Sequence, residues 1–449
     1  MFLTQTNNLK QEHLIVTNLG PRKYESPVLN HRPKDWVDYR MTSDDDGIQV
    51  HIQVNPRKPT DTSLTFEKAG ARDKVFFNGP DTKVAIVTCG GLCPGLNNVI
   101  RQLVLTLYHT YQVPTIYGIR YGYAGMVADT PHKPLLLTPE TVENIHKQGG
   151  SILGSSRGKQ NAVENVEFLE KLGVNILFTI GGDGTLRGAT EIADVAEKRG
   201  SKLGIIGVPK TIDNDIPLVF KSFGFETAVE QADMVLNCAH AEAKGVPNGI
   251  GLVKLMGRHA GFIAAMATRA SGDVNYCLVP EVPVVLDGPN GFLSHLYGRV
   301  SSRNHAVVVV AEGAFQDIMG ATGLHDKSGN PVFNDAGLFL KDKIQQYYKE
   351  KGEEVNVKYF DPSYMIRSVA ANGHDAVFCS DLGRYAAHAG MAGKTCMFVG
   401  YWHGFFTHVP FNAIRSRKRI MRPTSSLWRS VLTTTGQPVE WGHKIPAII

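Results

Sequence analysis

The chain has 449 residues, enough for two or three domains, and its hydrophobic share of 43% supports large buried cores. The formal net charge of +5 comes from interspersed basic and acidic residues, which points weakly to anionic small molecules and hardly at all to nucleic acid. No apolar stretch approaches the roughly 20 residues that span a bilayer. The start, Met1-Phe-Leu-Thr-Gln-Thr-Asn7, lacks the basic and apolar regions of a secretory signal, and Pro446-Ala-Ile-Ile449 matches no retention or peroxisomal tail. The six cysteines are scattered; Cys89 and Cys93 flank a glycine turn with no histidines nearby, so reduced thiols are expected rather than zinc ligands. The expectation is a cytoplasmic protein with neither membrane nor nucleic acid as partner.

Residues 1–82 are polar, with the acidic run Asp44-Asp-Asp46 and a weak alternation at Ile48, Val50, Ile52 and Val54. They read as an N-terminal extension with one or two short strands, either an interface arm or decoration. Val84–Thr88 is the first strong buried strand. Cys89-Gly-Gly-Leu-Cys-Pro-Gly-Leu-Asn97 follows, then an amphipathic helix to about Tyr111 with Pro94 in its first turn. Gly90 and Gly91 allow close approach of the backbone to a phosphate, or serve packing alone; no G-x-G-x-x-G spacing supports a dinucleotide. Thr115–Ile119 is a strand, and the loop Gly149-Gly-Ser-Ile-Leu-Gly-Ser-Ser-Arg-Gly-Lys159 offers Arg157 and Lys159 either to a phosphate chain or to solvent.

Ile176–Ile180 reads as a strand of a parallel sheet that ends on Gly181 and Gly182. Asp183 stands at its carboxyl end and Thr185 opens a helix to about Lys198. Backbone N–H groups and a positive helix end suit phosphate, and a lone carboxylate there is reconciled with it by a bridging Mg²⁺. Leu203–Val208 is the next strand, followed by Pro209-Lys-Thr-Ile-Asp-Asn-Asp215. If extended, Asp213 and Asp215 face one side and divide into a base and a metal-linked partner; the other reading is a local turn.

A helix from Phe225 to about Ala241 and a strand Ile250–Leu255 lead to Met256-Gly-Arg-His-Ala-Gly261, which is expected to open another helix. Arg258 at a helix start suits a bound anion, or lies on the surface. Ala306–Val310 is a buried strand. Glu312 after it can accept hydrogen bonds from sugar hydroxyls or cap a turn. A helix spans Asp335 to about Lys351, and Lys358–Ser368 is expected as a loop. There Tyr364 and Arg367, three apart, share a face on a helical turn and suit a phosphate monoester, although the tyrosine also suits a core. An apolar-patterned segment runs from Ala370 to Met391, and a strand from Thr395 to Tyr401. The basic cluster Arg415-Ser-Arg-Lys-Arg419 reads as a solvated helix face.

The fold class expected is α/β: two doubly wound Rossmann-like domains with parallel-rich sheets, plus the extension. The expected division is 1–82 extension, 83–225 first domain completed by 371–410, 226–370 second domain and 411–449 helical tail; the names nucleotide-binding for the first and sugar-phosphate-binding for the second follow from the resemblance that the motifs carry.

The ordered series Gly90-Gly91, Ser155-Ser-Arg157, Gly181-Gly-Asp-Gly-Thr185, Pro209-Lys-Thr-Ile-Asp-Asn-Asp215, Met256-Gly-Arg258, Glu312-Gly313 and Tyr364-Met-Ile-Arg367 resembles the phosphofructokinase family. It is most similar to the long-chain group with trypanosomatid and plant ATP-dependent enzymes, over roughly residues 80–430. The resemblance implies transfer of the γ-phosphoryl of Mg-ATP to the 1-hydroxyl of fructose 6-phosphate in glycolysis. It implies Asp213, Arg258 and Thr211 as catalytic residues, with Asp213 the base, and Asp183 as the Mg²⁺ holder. It places Gly90, Arg157, Gly158, Gly182, Asp183, Gly184, Thr185 and Lys210 on the nucleotide. Thr211, Ile212, Asp213, Met256, Gly257, Arg258 and Glu312 are implied for the sugar, with Tyr364 and Arg367 on its phosphate. A homo-oligomer, dimer or tetramer, is implied, since tetramers are common in the family. Gly184 stands where pyrophosphate users carry aspartate, which favours ATP, although Lys210 resembles those users. Gly249 stands where short-chain members carry an arginine that reaches across a subunit interface. The alternatives are a pyrophosphate-dependent enzyme, another nucleotide-dependent kinase and a non-catalytic sugar-phosphate sensor.

Overall fold

Runs of aliphatic and β-branched residues form strands buried on both faces, as parallel sheets require. The computed structural model describes residue 6 and residues 8–31, 41–55, 57, 62–158, 161–325, 331–415 and 417–442. In chain order, the strands of its two main sheets are Gly47–Gln49 (β1), Thr65–Lys68 (β2), Lys83–Thr88 (β3), Thr115–Ile119 (β4), Leu135–Leu136 (β5), Ile176–Gly181 (β6), Gly204–Pro209 (β7), Gly249–Leu255 (β8), Tyr276–Leu278 (β9), His305–Ala311 (β10), Asn356–Phe360 (β11), Met397–Trp402 (β12) and Phe405–Pro410 (β13). The first sheet has nine strands in the order β1-β2-β13-β12-β7-β6-β3-β4-β5, and the second has four in the order β9-β10-β8-β11. The centre of the first, β12-β7-β6-β3-β4, is parallel, and so is the whole of the second. This is an α/β fold with two Rossmann-like, parallel-rich sheets.

From β3 the chain moves outward to β4, whereas from β6 it moves the opposite way to β7 and β12. The strand order therefore reverses between β3 and β6. Ligands of open α/β sheets bind outside the carboxyl ends at such a point.

The N-terminal segment does more than decorate. β1 and β2 extend the first sheet antiparallel beside β13. Strand β13 itself was not expected. It folds back on β12 through His403 (φ 47°) and Gly404 (φ 91°), the two positive φ values that a tight hairpin turn demands. The strand expected over Thr395–Tyr401 is interrupted at Cys396 (φ 56°). Pro94 precedes its helix, which starts at Leu96 after Gly95. The expected loop over Lys358–Ser368 contains the end of β11, Lys358–Phe360, and a short helix, Ser363–Ser368. β11 pairs parallel with β8, and its half-buried side chains hid the apolar signal of a strand. Gly249 opens β8 where a Cβ would lie 1.9 Å from the Ala243 carbonyl oxygen, so no arginine fits there without moving the Phe225–Lys244 helix.

An ion network ties the extension to the sheet. Glu67 on β2 accepts hydrogen bonds from Arg72 (2.7 Å) and from Lys394 (2.9 Å), and its Oε1 lies 2.8 Å from Nδ1 of His408. Asp44 meets Arg22, Arg72 and Lys394 at 2.7–2.9 Å. Arg72, Lys394 and His408 are buried. Burial alone would raise the Glu67 carboxyl, but the His408 hydrogen bond and the charges of His408 and Lys394 hold it at about 2. A depressed carboxyl stabilises the fold fully above its ordinary value near 4.5, and loses that contribution as pH falls toward about 2. Glu67→Gln should therefore cost about 3 kcal/mol at pH 7. The gap to wild type should narrow by roughly 2 kcal/mol at pH 3, in denaturant melts at the two pH values. A gap that does not change with pH would show the network to be neutral.

Candidate active site

β6 and β7 pair in register, Val208 with Ile180 and Pro209 with Gly181, so the turns that follow them are neighbours. The Lys210 N–H donates to the Gly181 carbonyl at 2.9 Å. Beyond β6 the helix begins at Asp183 with Gly182 as its N-cap, two residues earlier than Thr185. Thr185 is buried; its packing against Gly181 leaves no room there for a Cβ. Asp183 is 68% exposed at the helix N-terminus, where its charge is favoured, and lies 3.4 Å from Arg187. A side chain at Gly184 would meet nothing closer than the Arg187 guanidinium, 3.9 Å away.

The segment after β7 is a turn, not an extended run. Asn214 has φ 54°, a left-handed conformation that asparagine tolerates. The Thr211 hydroxyl accepts from the Asp213 N–H at 3.0 Å and donates to Asp215 at 3.0 Å. The Asn214 side-chain oxygen accepts from the Ser222 N–H (3.0 Å) and from Arg419 (2.7 Å). The segment is therefore not extended, yet Asp215 still lies near enough for its charge to act on the Asp213 carboxyl. Oδ1 of Asp213 is buried with no hydrogen-bond partner among the described residues. Burial, and then the charges of Asp215 and Glu312, push the Asp213 carboxyl well above its ordinary range, while Lys210 and Arg258 pull it down. Burial likewise raises Asp215 and lowers Lys210. Asp183 adds to the negative field on Asp215, which puts the two motif turns in one electrostatic neighbourhood.

The second sheet supplies the facing wall. After β8 come Met256, Gly257 (φ 140°) and Arg258 (φ 45°). The next helix begins only at Phe262, so Arg258 lies in a strained turn and not at a helix start. Glu312, after β10, accepts from the Arg258 N–H at 2.9 Å and so caps that turn. The Arg258 guanidinium donates to the Pro331 carbonyl (3.1 Å) and lies over the Phe333 ring. Ile212 is buried and Met256 half-buried against the core that the two sheets share.

Above the switch point, the glycine loop and three cations meet. The Gly90 N–H donates to the Ser156 carbonyl (3.0 Å), and the Ser155 hydroxyl donates to the Gly90 carbonyl (2.6 Å). A Cβ at Gly91 would lie 3.2 Å from Arg157 and 3.6 Å from Arg367; one at Gly90 would lie 3.7 Å from the Lys210 ammonium. Gly158 (φ 117°) closes this loop, and Lys159 lies outside the described residues. Arg367 stacks 4.4 Å over the Tyr364 ring, so the two share a face as their spacing predicts, with Tyr364 74% exposed.

The sequence reading missed Asn214, Ser222 and Arg419. Asparagine between two aspartates is itself a turn signal. Arg419 gave none: its cluster was read as a solvated helix face, yet it is buried and no helix covers the described residues of 415–419.

A family model described as phosphofructokinase matches residues 83–390. The chain is 44% identical to an ATP-dependent 6-phosphofructokinase of Borreliella burgdorferi over 96% of this chain and 98% of that protein. It is 43% identical to an ATP-dependent 6-phosphofructokinase of Trypanosoma cruzi over 96% and 89%. The crystal structure of a pyrophosphate-dependent phosphofructokinase from Marinobacter aquaeolei superposes with a TM-score of 0.65 at 20% identity, over 82% of this chain and 94% of that one, a likeness of fold.

The electrostatics of the Asp213 turn make a direct prediction. Asp215→Asn keeps an acceptor for the Thr211 hydroxyl and removes a neighbouring negative charge. The Asp213 carboxyl should then ionise at lower pH, seen as a downward shift in the midpoint of its infrared C=O titration. An unmoved midpoint would mean that the Asp215 charge has no part in setting it.

Proposed function

This chain belongs to the phosphofructokinase family, and from that premise we propose that it is an ATP-dependent 6-phosphofructokinase, which moves the γ-phosphoryl group of ATP to the 1-hydroxyl of fructose 6-phosphate. The observation that carries the reading is the buried Oδ1 of Asp213, without a partner among the described residues and one strand away from the exposed carboxylate of Asp183. A general base needs a free oxygen aimed at the hydroxyl it deprotonates. Phosphoryl transfer needs positioning and charge neutralisation more than covalent chemistry.

In this mechanism Asp213 takes the proton from the sugar 1-hydroxyl as the oxygen attacks the γ-phosphorus in line; the bond from that phosphorus to the β,γ-bridging oxygen breaks and ADP leaves. Thr211 orients the base through the Asp213 N–H. Gly90, Arg157, Gly158, Gly182, Gly184, Thr185 and Lys210 hold the donor, and the charges of Arg157 and Lys210 offset its phosphates. Asp183 would hold Mg²⁺, which when bound neutralises charge on the donor phosphates. One exposed carboxylate fits that ion, because Mg²⁺ keeps most of its shell as water and phosphate oxygen. Ile212, Met256, Gly257, Arg258 and Glu312 form the sugar side, with Tyr364 and Arg367 on the sugar phosphate. The place of Arg367 beside Gly91 supports a role at the boundary between donor and acceptor.

The donor side then comprises 83–225 with 371–410 and the sugar side 226–370, flanked by the 1–82 extension and the 411–449 tail. The same proposal includes a cytoplasmic homo-oligomer. Pyrophosphate is the second donor to weigh because Lys210 is buried at the site. The open space at Gly184 supports ATP instead.

A coupled assay for fructose 1,6-bisphosphate, run with ATP and with pyrophosphate, tests the reading; turnover with pyrophosphate alone would overturn the donor assignment. Asp213→Ser should lower kcat by about two to four orders of magnitude with little change in KM for fructose 6-phosphate. Near-normal turnover in that variant would remove Asp213 as the base. Gly184→Asp should weaken ATP use by at least about tenfold in kcat/KM, since one lost or repulsive contact of about 1.4 kcal/mol gives that factor.

A further inference from the structure

Arg419 lies beyond the stretch that the family model matches, yet it is 3% exposed and enters the wall of the site. One guanidinium nitrogen donates to the Asn214 side-chain oxygen and another to the Phe220 carbonyl, both at 2.7 Å. The guanidinium packs 5.0 Å over the ring of Phe262, the first residue of the helix that follows the Arg258 turn. Nε is buried without a partner among the described residues. One side chain thus spans the turn that carries Asp213 and the helix behind the sugar wall.

Asn214 is the residue through which this contact reaches the chemistry. Its left-handed backbone costs on the order of 1 kcal/mol for a residue other than glycine. Its oxygen accepts from Ser222 and Arg419 together, which holds that backbone in place. Rotation at Asn214 would swing the carboxylate of its neighbour Asp213. We infer that Arg419 is a positioning residue for phosphoryl transfer, fixing Asn214 and through it the place of the Asp213 carboxylate. The inference rests on the reading of Asp213 as the general base. A displacement of about 1 Å at a reacting group can lower the rate about 100-fold.

The test is kinetic, on the full chain with ATP and fructose 6-phosphate. Arg419→Met should lower kcat by about 30- to 100-fold with both KM values within about threefold of wild type. Arg419→Lys should recover part of the loss, since one ammonium can reach one of the two acceptors. The double variant Asp213→Ser/Arg419→Met should be no slower than Asp213→Ser alone, because Arg419 acts through that carboxylate. Multiplying losses, or near-normal kcat in Arg419→Met, would overturn the inference. Should Arg419→Met fail to fold by circular dichroism, Asn214→Gly replaces it: glycine keeps the left-handed turn and removes the acceptor. A wild-type kcat there would equally overturn the inference. Near-normal turnover of Asp213→Ser would remove the base itself, and the inference with it. An inactive Asp213→Ser beside an active Arg419→Met would remove only the inference.

Discussion

The site depends on one pairing, the parallel register of β6 against β7. Because Pro209 lies opposite Gly181, the two strands end level, and two turns of opposite chemistry emerge side by side. One opens a helix with Asp183 exposed at its positive end. The other holds a half-buried Asp213 whose Oδ1 is buried with no hydrogen-bond partner among the described residues. A slip of one residue would turn every side chain of a strand to its other face and separate the carboxylates. Both strands are buried along their whole length, so the hydrophobic core enforces the register.

Burying Asp213 is unfavourable unless something offsets its charge. Lys210 and Arg258 act in that direction, while Asp215 and Glu312 oppose them. The result is a carboxyl whose affinity for a proton is raised. That property suits a group that must accept one, provided the pocket's cations keep it ionised until the sugar arrives. Glu312 has a second part in this balance. It adds negative charge, and it also caps the turn that brings Arg258 to the site. Glycine makes that turn possible: a Cβ on Gly257 would lie 2.4 Å from the Ala260 carbonyl oxygen, and one on Gly313 would lie 1.7 Å from that of Arg258.

Much of this was legible in the sequence where the signal was local. Uninterrupted apolar runs marked β3, β6, β7, β8 and β10, and the segments just past their ends lie near one another at the candidate site. The failures share a different cause. β13 and β11 are held by partners distant in sequence, and β11 is only half-buried, so neither carried a strong pattern of its own. The N-terminal strands are short and polar, and depend on an ion network completed by Lys394 and His408, more than 300 residues away. Arg419 was misread because charge density in sequence says nothing of burial. A guanidinium can be taken into a protein when acceptors and an aromatic face await it.

The arrangement of charge also bears on how two anionic substrates share one cleft. Arg157, Lys210 and Arg367 converge over Gly90 and Gly91, whose missing side chains let a phosphate come within reach of all three. Arg367 comes from a helix after the second sheet, whereas Lys210 follows a strand of the first. A phosphate held there would draw both parts of the chain together. The charges of Asp213 and Lys210 also act on each other. Lys210 is itself buried. Burial weakens its hold on its own proton, and a bound phosphate would strengthen it, so donor binding and the charge that receives it reinforce each other.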